Sequence, residues 1–194
     1  MSRRADPRSL ASAPPVIETE RLLLRRPEER DLDGILEYVS DPEAMRFIGD
    51  GRTGGAEVAR QSLERFHRRW AADGFGQFAV ERREDGRFLG RVGLLVWDPR
   101  TWEPSTRAEA GDDAEVELGW TLIRAAWGNG YATEAARAAR DWAYENVELR
   151  RLVSFVHPEN TRSIAVAERL GARIEGEALV HGSMPVVVYV HPRS

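Results

Sequence analysis

The sequence predicts an α/β (α+β) protein with a mixed sheet, and three stretches carry that expectation. In the first, Val116, Leu118, Trp120 and Leu122 alternate with Glu117, Gly119 and Thr121, which is the period of a strand. A turn through Gly128-Asn129-Gly130 leads from this strand into an alanine-rich segment, residues 131–143, where Ala132, Ala135, Ala136, Ala139, Trp142 and Ala143 recur at helical spacing. The second stretch, residues 151–157, reads as a further strand, so this part is a β-α-β unit and its strands should be parallel. The third is a pair of apolar runs, residues 77–82 and 88–97, joined through Glu84-Asp85-Gly86; Asp-Gly is a hairpin signal, and this pair should be antiparallel.

The remaining elements follow in chain order. Residues 1–15 carry Arg3, Arg4 and Arg8, are polar and aperiodic, and are expected to be a disordered arm, either a basic contact for RNA or the ribosome or a frayed terminus. Residues 16–194 are expected to form a single domain. Arg21-Leu22-Leu23-Leu24-Arg25-Arg26, bounded by Pro27, suits a first strand. Leu32, Ile35, Leu36 and Val39 share one face of a first helix that stops near Asp41-Pro42, and a second helix is expected over residues 56–72. The intervening Phe47 to Gly55 segment is glycine-rich and reads as a mobile loop. Residues 98–114, with Glu103, Glu109, Asp112 and Asp113, read as an exposed loop, solvated or attracting a cationic substrate. Asn160 is placed to cap a helix that Gly171 stops, and residues 172–180 and 184–190 should close the sheet as a last hairpin.

Composition narrows the classes of function. At 194 residues the chain is long enough to bury about 70% of its unfolded surface without staples. It has no cysteine, which excludes disulfides, thiolate metal sites and a cysteine nucleophile, and its four histidines are scattered, so no metal is expected. No apolar run approaches a membrane span and the first 15 residues lack the apolar core of a signal peptide, so a cytoplasmic protein is expected. All 28 basic residues are Arg, and with 32 acids the net charge is −4, which argues against a general nucleic-acid binder.

The glycine turn carries two readings. Because the first N–H groups of a helix lack internal partners, and glycines let an anion approach the backbone closely, a turn opening a helix suits a pyrophosphate. Asn129-Gly130 is also a hairpin dipeptide, although an alanine-rich helix makes a poor second strand. Neither the Walker A sequence nor the full G-x-G-x-x-G fingerprint is present.

Four segments in order carry a family resemblance: Glu117-Leu118-Gly119-Trp120, residues 126–135, His157-Pro158-Glu159-Asn160-Thr161-Arg162-Ser163, and Leu170-Gly171-Ala172. Together they resemble the GNAT N-acetyltransferase superfamily, in its RimJ/RimL-like branch. Thr19-Glu20-Arg21-Leu22-Leu23-Leu24-Arg25 and Ser40-Asp41-Pro42-Glu43 are similar to that branch too, and the match covers roughly residues 17 to 190. The resemblance implies a mixed, mostly antiparallel sheet of about seven strands with helices on both faces. Its fourth and fifth strands should diverge to admit the pantetheine of acetyl-CoA.

The same resemblance implies a function and a site. Acetyl-CoA as cosubstrate would lie on Trp127, Gly128, Asn129, Gly130, Tyr131, Ala132 and Thr133, with Asn160 and Ser163 beside its pantetheine and backbone N–H groups near Leu122 and Ile123 for the oxyanion. The acetyl group would pass directly to a primary amine, either a protein N-terminus or a small molecule. Glu117, two residues before the Gly of its motif, is the expected base, with Glu115 on the same strand face as rival and an ion pair to an arginine as the other role open to Glu117. In the family's [QR]-x-x-G-x-[GA] motif the first place is held by Ala125. The tyrosine that often serves as general acid is replaced by Ala167, leaving Ser163, Tyr131 or water. His157, before a proline at a strand end, is expected to be structural. Competing classes are a non-catalytic acyl-CoA-binding regulator and a ribosome- or RNA-associated module; a homodimer is among the expected assemblies.

Overall fold

A computed structural model describes residues 15–193. The expectation for the N-terminal arm therefore lies, apart from Pro15, outside the described residues. The strands are β1 (Ile17–Glu18), β2 (Leu22–Arg25), β3 (Gln77–Arg82), β4 (Phe88–Asp98), β5 (Glu103–Ser105), β6 (Glu115–Leu122), β7 (Val153–Val156), β8 (Arg173–Val180) and β9 (Met184–Val190). The helices are α1 (Leu32–Val39), α2 (Pro42–Met45), α3 (Ala56–Asp73), α4 (Arg107–Ala110), α5 (Tyr131–Asn146) and α6 (Thr161–Arg169).

One sheet runs in the order β1-β2-β3-β4-β6-β7-β9-β8, with β5 hydrogen-bonded to β4 off that path. All its pairings are antiparallel except β6 with β7, the pair that α5 connects. The sheet has nine strands rather than about seven because the short β1 and β5 add to the expected set. β5 also corrects the reading of residues 98–114 as loop throughout, since this segment holds β5, α4 and a turn of 3-10 helix over Gly111–Asp113. Thr106 and Glu109 form a capping box at α4, a local signal that the polar composition obscures.

The main core is built from alternate strand residues such as Leu22, Leu24, Phe78, Val80, Val92, Leu94 and Leu118, against which α1, α3 and α5 lay Ile35, Leu63 and the alanines 135, 136, 139 and 143. The small alanines let α5 sit close over β4 and β6. At the far end of the sheet Arg25, Asp31 and Glu81 form a buried ionic cluster: Arg25 Nη1 and Nη2 donate to Asp31 at 2.8 and 2.7 Å, and Nε donates to Glu81 at 2.9 Å.

What positions the site is the failure of β6 and β7 to stay together. They share a single register pair, Glu117 with Val153. Ser154 Oγ adds one side-chain bond to Leu118 O at 2.5 Å, and beyond it β6 continues along β4 to Leu122 without β7. These are the two strands that the resemblance expects to diverge.

Candidate active site

At the C-terminal end of β6, a 3-10 turn over Arg124–Ala126 and the glycine turn lead into α5. Gly128 and Gly130 have φ of 77° and 79°, a region that costs glycine nothing and other residues strain. The N–H groups of Gly128, Asn129, Gly130, Tyr131, Ala132 and Thr133 donate to no other group among the described residues. The N–H of Trp127 does not belong to this row, because it donates to Arg124 O at 3.1 Å. Trp127 contributes its ring instead: its Nε1 donates to Leu122 O at 2.9 Å, and the Arg162 guanidinium lies 4.4 Å over it. The Asn129 side chain donates to Trp127 O at 2.9 Å and so braces the turn from within.

A clasp from the N-terminal strands closes this end. Thr19 Oγ1 donates to Glu134 Oε1 at 2.6 Å, and Arg21 meets the same carboxylate through its backbone N–H at 2.9 Å and its Nε at 2.7 Å. Arg21 Nη1 also donates to Asn129 O at 2.9 Å. Burial opposes the Glu134 charge, but the bonds from Thr19 and Arg21 outweigh it and hold the carboxyl below its ordinary value. The cavity over this turn has a volume of about 1020 Å³, and Arg137, Arg162 and Arg169 add positive charge along it.

A second cavity of about 1160 Å³ lies on the other side of the strand gap. The two cavities share Phe47, Ile48, Trp120, Thr121, Asn160 and Ser163 as walls, so they adjoin where β6 and β7 part. Asn160 caps α6 by accepting the Ser163 N–H at 3.2 Å. Ile123 departs from its expected role: its N–H donates to Leu89 O at 2.9 Å and its side chain is fully buried. Since N–H direction alternates along a strand, that bond assigns odd positions to β4 and turns the N–H groups of Trp120 and Leu122 toward the gap. The strand pattern at residues 116–122 could not disclose which parity faces which neighbour.

Glu117 lines the second cavity, with Oε2 accepting from Trp97 Nε1 at 2.7 Å. Burial raises its pKa from the ordinary carboxylate value, against the Trp97 bond and the nearby charges of Arg91 and Arg69. The arginine ion pair that was open to Glu117 is made by Glu115, which is buried and meets Arg150 at 3.0 Å and Arg151 at 2.9 Å. Gln77 sits across Gly119 from Glu117, and its Oε1 is buried without a hydrogen-bond partner. Ala167 is packed against Val156 and Tyr189, with no hydroxyl of its own to offer. The Tyr131 hydroxyl lies against Arg82, which lines neither cavity. His157 accepts the Glu159 N–H at 3.2 Å and stacks on Phe47 with ring centroids 4.9 Å apart. Among the described residues no group of three or more His, Cys, Asp or Glu could hold a metal, and no helix is long and apolar enough to cross a membrane.

Behind the gap, His191 Nε2 lies 2.8 Å from Ser154 Oγ. The Ser154 proton is used on Leu118 O, so His191 donates through Nε2 and its Nδ1 is left a buried acceptor with no partner. Burial, and then the charge of Arg140, hold the His191 pKa down at about 4 from 6.5. The folded form therefore binds fewer protons than the unfolded one, so this stability is present above pH 6.5 and is lost as pH falls toward 4. The loss should amount to about 3 kcal/mol. Urea titrations across this range should show a shallower pH dependence in His191→Gln than in the wild type; identical slopes would contradict the assignment.

Residues 21–173 match the family described as "Acetyltransferase (GNAT) domain". An uncharacterized N-acetyltransferase, p20 of Bacillus licheniformis, is 28% identical over 158 residues, covering 81% of this chain and 82% of that protein. The crystal structure of an acetyltransferase from Agrobacterium tumefaciens str. C58 superposes with a TM-score of 0.74 at 30% identity, covering 97% of this chain and all of that one. RimL, described as a ribosomal L7/L12 alpha-N-protein acetyltransferase, shares the fold at a TM-score of 0.71 and 17% identity, with 96% of this chain and 98% of that one covered. With a family match spanning most of its length over a sheet that parts beside an unpartnered helix N-terminus, this chain belongs to the GNAT acetyltransferases.

Proposed function

We propose that the protein transfers the acetyl group of acetyl-CoA directly to a primary amine. The observation that carries the reading is the meeting of two cavities at the strand gap, one beside the row of unpartnered N–H groups and the other beside Glu117. The first fits the cosubstrate: the N–H groups of Gly128 to Thr133 would hold its pyrophosphate, and Asn160 and Ser163 would flank its pantetheine. Acetyl-CoA supplies a thioester carbonyl carbon, to which the amine nitrogen bonds as the carbon–sulfur bond breaks. The N–H groups of Trp120 and Leu122 would face the charge that develops on the carbonyl oxygen. Glu117 would take the proton the amine must lose, directly or through one water, and the Ser163 hydroxyl or water would return a proton to the departing sulfur.

The test is ligand-induced stabilisation followed by thiol release. At a hundred times Kd, acetyl-CoA should stabilise the protein by about 2.7 kcal/mol. Gly130→Asp puts a side chain and a negative charge into the cradle, at a φ of 79°, and should remove the shift. A shift equal to the wild type's would place the pyrophosphate elsewhere. Release of free thiol that depends on an added amine then separates an acetyltransferase from a protein that only binds acyl-CoA.

A further inference from the structure

The second cavity has one wall of guanidinium groups. Arg65, Arg68 and Arg69 stand at i, i+3 and i+4 on α3 and share one face of that helix, and Arg91 on β4 lines the same cavity. Arg25, paired with Asp31, and Arg151, paired with Glu115, show how carboxylates elsewhere neutralise arginines withdrawn from water. Among the described residues Arg65, Arg69 and Arg91 make no such ion pair. Arg69 is half-buried and makes no hydrogen bond or ion pair among the described residues. Arg65 donates to the neutral Ser62 hydroxyl at 2.8 Å, and Arg91 lies beside the Tyr38 hydroxyl. Burial and then the charges of Arg91 and Arg65 push Arg69 down to about 10, which leaves it cationic at neutral pH.

The carboxylates of this cavity do not balance that wall. Glu117 is the one whose charge Arg69 feels. Glu103 lies 2.7 Å from His181 Nδ1, and Glu109 is used in the capping box with Thr106. A cluster of like charges held out of bulk water is costly, and an anionic ligand group would relieve the cost. Guanidinium forks suit carboxylate and phosphate oxygens, which they can bind two at a time.

Resting on the acetyltransferase reading, we infer that the acceptor is a small primary amine that also carries an anionic group, a carboxylate or a phosphate, which docks on Arg65, Arg69 and Arg91 while the amine reaches Glu117. The same wall disfavours an ammonium next to it, which favours the neutral amine that the reaction requires, and it works against polycationic acceptors. The cavity volume of about 1160 Å³ slightly exceeds the roughly 300–1,000 Å³ usual for small-molecule sites, and part of that space borders the strand gap that it shares with the first cavity.

The experiment uses matched acceptors with acetyl-CoA saturating and thiol release as readout. O-phosphoethanolamine is paired with ethanolamine, β-alanine with its amide, and an acidic hexapeptide with its Asn/Gln counterpart. In the phosphate or the carboxylate small-molecule pair the anionic member should exceed the neutral one at least tenfold in kcat/KM, and Arg69→Gln should reduce that ratio at least tenfold. Preference confined to the peptide pair would overturn the small-molecule assignment, and equal rates within every pair, or a ratio unchanged in Arg69→Gln, would overturn the anionic one. A second readout does not depend on turnover: with CoA saturating the first cavity, inorganic phosphate should raise the Tm of the wild type and not of Arg69→Gln. If phosphate stabilises both alike, the arginine wall is not its site. If acetyl-CoA itself gives no shift and no amine is acetylated, the acetyltransferase reading fails separately. Arg69→Gln alone should melt no lower than the wild type, since it removes a repelled charge.

Discussion

Glu117→Gln is expected to lower kcat by about 10² to 10⁴ while leaving the acetyl-CoA dissociation constant nearly unchanged. The substitution keeps size and the bond from Trp97 Nε1, so the cavity wall survives and only the proton acceptor is lost. An α-amino acceptor, with a pKa near 7.7 to 8.0, is partly neutral at physiological pH, whereas a Lys amine near 10.4 is almost wholly charged, and a base serves both. Because burial raises the Glu117 pKa, kcat/KM should fall as pH is lowered, with an acid limb above the ordinary glutamate value, and that limb should vanish in Glu117→Gln. Glu115→Gln is a control of a different kind, since it strips two arginines of their partner and should act on stability more than on kcat. Equal, small effects of both substitutions on kcat, with the wild-type pH profile retained, would leave deprotonation to solvent.

Arg25→Leu should destabilise the fold by about 3 to 5 kcal/mol, because it leaves Asp31 buried as an unpaired charge. In a domain of this size that corresponds to a fall in Tm on the order of 10 °C. The cluster lies between β2, β3 and the turn before α1, and none of its residues lines either cavity, so at a temperature where the variant is folded its KM for acetyl-CoA should match the wild type's. Calorimetry gives the first number and initial rates the second. A Tm within 2 °C of the wild type, roughly what a loss under 1 kcal/mol would give, would mean that Asp31 finds water or another donor.

The elements with local signatures were legible in the sequence. Period-2 alternation located β6, Asp85-Gly86 located the β3–β4 hairpin, and Asn160 and Gly171 bracketed α6, because turn chemistry and caps are decided within a few residues. The parallel pairing of β6 and β7 followed from the helix between them. What stayed hidden depends on tertiary register. Glu115 and Glu117 look alike along the strand, and only the approach of Arg150 and Arg151 to one and of Trp97 to the other separates them. Ile123 looked like a free N–H donor until its pairing with Leu89 was fixed by the β4 register. The arginine wall joins α3 to β4 across segments that no short motif connects; in the sequence Arg65, Arg68 and Arg69 look like solvated helix positions and Arg91 like an outward strand position. The acidic stretch 98–114 misled through composition: its carboxylates cap a helix and pair with His181 and Arg100.

The clasp of Thr19 and Arg21 on Glu134 joins positions 115 residues apart, so the glycine-turn end of the first cavity is closed by the start of the domain rather than by neighbours in sequence. A contact of such separation forms late, since the loop it closes must be ordered first. During synthesis the first strands wait for the helix that completes them. The chain just after β1 lines the first cavity through Thr19, Glu20 and Arg21, and a change at that segment reaches the glycine turn without altering a residue of α5. If the proposed cosubstrate site is right, Arg21→Ala, which removes the side-chain bonds to Glu134 and to Asn129 O, should weaken acetyl-CoA binding although Arg21 lies more than a hundred residues from the turn in sequence.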